Sequence, residues 1–234
     1  VLYGNIPTLR FLDFLAPRLA SYTRVPRTSL PARQPRWSAP RLHHETYPTA
    51  PGEPVAEKTF LLMNWLAGDN RDPVEAAALR IVSLLLLGHD AAPLHRALID
   101  AHLGADLVMS GSSDIGSEAS FHVGLEGAEP ERLDAFRDLV LDTLRAAADT
   151  PFTDEQIQTA FQQAAYETLE IAPMFPLHTV FRVVAAWMAD LDPLLYLRNA
   201  SHFQALRQAQ PREPHLFTRL LREDWDGFYP MLDL

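Results

Sequence analysis

The chain has 234 residues, of which 47% are hydrophobic and 21% charged, and its net charge is −10. That length and apolar content allow one large domain, or one and a half ordinary ones, with a sizeable core and exclude a disordered tail. With no cysteine and no apolar run longer than residues 81–87, the chain also excludes a disulfide framework, a thiolate metal site, a cysteine nucleophile and a bilayer-spanning helix.

Charge is unevenly placed. Residues 1–42 carry seven arginines and one acid, +6, whereas residues 43–234 carry −16. Arg24, Arg27, Arg33, Arg36 and Arg41 are scattered among prolines, without the clustered face or interleaved aromatics of a nucleic-acid site. They read as a linker lying on an acidic domain. The chain opens on VLYGN, with neither an initiator Met nor a signal-like segment, and reads as an excised or processed piece. One lysine, Lys58, against nineteen arginines points to a GC-rich coding source.

In chain order, the opening reads as a strand end, a Gly-Asn turn and a helix with Leu9, Leu12, Leu15 and Leu19 at helical spacing. Residues 24–57 hold seven prolines and read as a wrapping linker, with one edge strand expected over 37–47. The short apolar run KTFLLMNWL fits a buried strand. A helix follows. Asp72 is its cap, Pro73 suits its first turn, Glu75 is expected to close a capping box, and Gly88 stops it. A second helix runs from Pro93 to Gly104.

Two strands come next. In the second, Phe121, Val123 and Leu125 alternate with Ser120, His122 and Gly124. MSGSSDIGS, residues 109–117, reads as the hairpin loop between them. A long helix from Pro130, another from a Thr153/Gln156 capping box, and a third bearing Leu177, Val180, Phe181, Val184, Trp187 and Met188 complete the main pattern. Phe181 and Trp187 are assigned to the core. A short helix near His202 and one through LFTRLLRED close the chain. The order predicts an α+β domain, an antiparallel sheet with helices packed on one face. An edge strand is expected to be missing or supplied by a neighbour, which would favour dimers through an exposed sheet edge.

The residues supply no active site. His44-Glu45 begins an H-E-x-x-H pattern, but Pro48 stands where the second His belongs, and no His has a Glu three residues on. His89, Asp90 and His95 straddle a helix start, so one helix face cannot present both rings to a metal. Asp134, Asp138 and Asp142 make an acidic stripe of the kind usually solvated on an amphipathic helix. There is no G-x-S-x-G elbow, P-loop or dinucleotide fingerprint. No catalytic, cofactor-binding or metal residue is assigned.

Four stretches in order, LYGNIP with RFLDFL, LLLLGHDAAPLHRALIDAHLGADL, FHVGLEG, and YETLEIAPMFPLHTVFRVVAAWMADLDPLLYLR, resemble the insulinase/pitrilysin family of zinc metallopeptidases, most closely its presequence-protease branch. The resemblance implies the α+β sandwich of that family (the LuxS/insulinase-like architecture) and specifically its non-catalytic second domain. It implies residues 1–23 as the end of a preceding catalytic-type domain, 24–57 as linker, 58–212 as the non-catalytic domain, and 213–234 as a C-terminal helix and truncated tail. Zinc would be bound by an upstream domain, with no cofactor in this chain. The implied role is to help form the chamber of a metalloendopeptidase that degrades short unstructured peptides. Its partners would be the remaining domains and the peptide, with no nucleic acid and no membrane span, in the bacterial cytoplasm or periplasm. The alternative is a stand-alone scaffold that presents substrate to a separate catalytic subunit. In the family's last domain an Arg and a Tyr flank the equivalent of Leu103-Gly104 and contact substrate. Those positions fall here at Leu98 and Ala105, whose side chains cannot hydrogen-bond a peptide.

Overall fold

The computed structural model describes residues 4–23, 34–35, 39–114, 116–171, 173–209, 217 and, for the backbone, 229–233. Strand β1 (Thr59–Asp69) and strand β4 (Glu118–Ala128) form the centre of an antiparallel sheet. Short strands β2 (Asp106–Leu107) and β3 (Gly111–Ser113) share the far edge of β4, and β5 (Tyr229–Asp233) lies along β1. The expected missing edge strand is thus corrected. Residues 229–233 of the same chain pair with β1 from Leu61 to Asn64, so that stretch of its edge is occupied without a neighbour. The anticipated hairpin loop over 109–117 is also shorter than expected, because β3 takes three of its residues.

Alternation decides which face is buried. Leu61, Met63, Trp65 and Ala67 of β1 and Ala119, Phe121, Val123 and Leu125 of β4 point to one side and join the core. Helices α2 (Pro73–Leu87), α3 (Pro93–Asp100) and α4 (Leu133–Asp149) cover that side with Ile81, Val82, Leu86, Leu94, Leu98, Phe136 and Val140. Helices α5 (Asp154–Leu169) and α7 (Asn199–Ala209) pack behind α2. Each large side chain fully buried here contributes about 1.5–3 kcal/mol. The result is the α+β arrangement the pattern predicts.

Helix ends follow the sequence closely. The Asp72 carboxylate accepts from the N–H groups of Val74 (2.9 Å) and Glu75 (3.1 Å). The expected return bond of a capping box is replaced, since the Asp72 N–H donates to the Asp69 carbonyl. At α5 the full box forms. Gln156 N–H donates to Thr153 Oγ1, and Thr153 N–H donates to Gln156 Oε1. A 3-10 turn at Pro130–Arg132 leads into α4.

Two expectations fail in the described residues. Residues 39–47 form only a single bridge at His44 instead of an edge strand, and 36–38 lie outside the described residues. Helix α6 (Phe175–Met188) does not bury its apolar stripe, leaving Phe181 59% and Trp187 68% exposed. Periodicity reports that a helix has an apolar face, and it cannot report whether this chain supplies anything to cover it. Of the final helix, only Phe217 lies within the described residues, where it is helical, buried and edge-on to Phe161.

Candidate functional site

The residues that carry suggestive chemistry in the sequence are not brought together. His89 and Asp90 sit exposed in the turn after α2, where the neighbouring Gly88 carbonyl accepts from Gln163 Nε2 of α5 at 3.1 Å. His95 lies in the first turn of α3. Glu45 pairs with His43 at 2.5 Å on the surface. The acidic stripe of α4 is solvated and neutralised locally, with Arg137 bridging Asp134 and Asp138 (2.7 and 2.8 Å) and Arg145 holding Asp142 at 2.9 Å. Leu98 is buried in the core, and Ala105 uses its backbone N–H on the Glu126 carbonyl at 2.7 Å. Among the described residues no three His, Cys, Asp or Glu side chains converge on a point that could hold a metal. The described residues do not fit a zinc site.

Two other places do gather polar side chains. On the sheet face away from the helices, His122 Nδ1 meets Asn64 Oδ1 and Nε2 meets Ser120 Oγ at 2.9 Å. Asn64 Oδ1 only accepts, so the neutral ring carries its proton on Nδ1 and takes the Ser120 hydroxyl proton at Nε2. Burial pushes the His122 pKa below its ordinary value. The alternation of β4 places Ser120 and His122 on one side, but nothing in the sequence pairs them with Asn64 from a strand nearly sixty residues earlier.

The second place is a cleft where the start of α2 faces β3, α6 and α7. Its floor is Asn70, 1% exposed, whose Nδ2 donates to the Gly116 carbonyl at 3.1 Å and whose N–H donates to the Ser117 carbonyl at 3.2 Å. Asn70 Oδ1 is buried without a hydrogen-bond partner. A buried acceptor left unmet costs about 1–3 kcal/mol. Around it, Arg182 pairs with Asp114 and lies over the Tyr196 ring at 4.8 Å, while the Tyr196 hydroxyl donates to the Asp114 carbonyl. Burial, with a smaller part from Asp114, pushes the Tyr196 pKa up to about 12. In the sequence Asn70 is only the residue two before a helix cap.

A third feature is apolar. Leu169 and Ile171, 80% and 81% exposed, adjoin the open stripe of α6 in the chain. At the other end, α1 (Thr8–Leu19) has no buried residue and exposes Leu9, Leu12 and Phe14. No helix among the described residues is long and apolar enough to cross a membrane.

The described residues form an antiparallel sheet covered on one side by helices, and no three metal-ligating side chains converge among them. Residues 1–164 match the peptidase M16 inactive domain, and the chain belongs to that family. It is 28% identical over 219 residues to the mitochondrial presequence protease of Mus musculus, covering 91% of this chain and 21% of that protein. The chain thus spans about a fifth of the length of the curated relatives it matches. Its fold is similar to a protease from Helicobacter pylori (TM-score 0.69, 11% identity, 97% of this chain and 52% of that one). It is also similar to the peptidase M16 inactive domain from Pseudomonas fluorescens (TM-score 0.62, 16% identity, 97% and 51%).

Proposed function

We propose that this chain is a chamber-forming, non-catalytic domain of a larger zinc-dependent metalloendopeptidase that degrades short unstructured peptides. One observation carries the reading: a chain of the M16 inactive-domain family leaves a helical apolar stripe exposed, with Val180, Phe181 and Val184 on one side of α6. Exposed apolar patches of this kind mark interaction surfaces. The proposed occupant is the remainder of the parent peptidase, with zinc and the hydrolytic step in a different domain. Residues 1–23 would belong to the preceding domain, 24–57 to the linker, 58–212 to the inactive domain itself, and 213–234 to its C-terminal helix and tail. The excess of acids in residues 43–234 would favour basic peptides, because a chamber of one sign concentrates ligands of the other.

The test is the mass of the native protein, read by immunoblot with an antibody to this chain. A band several times heavier than 26.3 kDa is expected. A native band near that mass would overturn the multidomain reading and favour a separate scaffold subunit that presents substrate to a catalytic partner.

A further inference from the structure

We propose that Ser120 is a nucleophile whose hydroxyl takes an acyl group from small esters with a good leaving group. His122 is its general base, and Asn64 positions the ring. The inference goes beyond the peptidase reading and does not depend on it, since the site forms an acyl-serine and cleaves no peptide bond.

Three side chains stand in the order such chemistry needs. Strand β4 sets Ser120 and His122 two residues apart on one face, and β1 brings Asn64 directly opposite His122 in the register. Asn64 Oδ1 holds the ring's proton on Nδ1, which leaves the Nε2 lone pair facing the Ser120 hydroxyl at 2.9 Å. Burial lowers the His122 pKa, so at neutral pH the ring is free to take that proton. Ser110 gives the contrast. Its hydroxyl donates to the Val108 and Gly124 carbonyls at 3.1 and 3.3 Å, and a carbonyl oxygen is no base. Asn64, Ser120 and His122 are each only partly buried. The backbone of Ser120 is paired on both sides, with Leu66 and with Ser113, so its remaining exposure belongs to the side chain.

The step balances with the ester as its sole co-reactant. As Oγ attacks the ester carbonyl carbon, an Oγ–C bond forms and the Oγ proton passes to Nε2. The bond from that carbon to the leaving oxygen then breaks. The leaving oxygen departs with the electron pair and takes the proton from Nε2, and the ring returns to its neutral form. The double pairing of β4 also limits the substrate. Backbone N–H groups engaged in the ladder are not free to steady an oxyanion, so only an ester whose leaving group is stable as an anion reacts. Leu66, opposite Ser120 in the register, supplies an apolar neighbour for a short acyl chain.

The experiment treats the 234-residue chain with 4-nitrophenyl acetate at neutral pH, quenches with acid, and maps acetyl groups by peptide mass spectrometry. Acetyl on Ser120 is expected while Ser110 stays unmodified. His122→Gln should slow acetylation of Ser120 roughly a hundredfold. Asn64→Leu, which lets the ring take its other tautomer, should slow it too and serves if the first variant fails to fold. An unmodified Ser120, or one acetylated no faster than Ser110, would overturn the proposal. So would an unchanged rate at Ser120 in the folded variants.

Discussion

At the scale of single residues, one close backbone approach, one helix cap and one ring carry separate predictions. A Cβ at Gly104 would lie 2.8 Å from the Glu126 carbonyl oxygen and 3.1 Å from Leu125 Cβ, both fixed by strand β4. Gly104→Ala should therefore cost about 1–3 kcal/mol, read as a lower urea midpoint, by forcing β2 away from β4. Thr153→Ala removes one arm of the α5 capping box and should cost about 1 kcal/mol in the same measurement. His122 makes stability depend on pH. Its native pKa lies below the ordinary 6.5, so both states are neutral well above that value. As pH falls through 6.5 the unfolded chain takes up the proton first, and stability declines until the native ring is protonated too. The urea midpoint should thus be lower at pH 5.5 than at pH 7.5. His122→Gln should reduce that difference without abolishing it, because His202 is shifted in the same direction.

At the scale of elements, α6 and β5 show what the chain leaves open and what it closes. Phe181 leaves more than half of its surface open, so Phe181→Asp should cost the isolated chain only about 1 kcal/mol. The same substitution in the parent protein should weaken assembly, measured as loss of peptidase activity or of co-purifying partner. Strand β5 has the opposite role. Deleting 229–233 would expose the backbone of β1 from Leu61 to Asn64, and an open central strand is a template for pairing with another chain. Concentration-dependent association in light scattering is the expected outcome, absent from the intact chain under the same conditions. Both elements carry apolar sequence, and only the tertiary partners separate the covered one from the exposed one.

At the scale of the whole molecule, the isolated chain should hydrolyse no peptide, with or without added zinc, in a fluorogenic peptide assay. The parent peptidase should cleave basic peptides faster than acidic ones of equal length, and the preference should shrink as salt screens the acidic surface. Much of the fold is legible in the amino-acid sequence itself. Strand alternation in 118–128 identifies the buried face, since successive side chains must point to opposite sides of a sheet. Caps at Asp72 and Thr153 mark helix starts, because a helix leaves its first N–H groups without partners and short polar side chains meet them. The absence of a spaced zinc motif is equally a property of the sequence. What only the tertiary structure decides are relations between distant residues. These are the junction of Asn64 with His122, the return of residues 229–233 to β1, the buried unmet acceptor of Asn70, and the exposure of Phe181 and Trp187. Local pattern records the hydrogen-bonding and hydrophobic demand of each element. Whether that demand is met depends on which remote surfaces the fold brings against it.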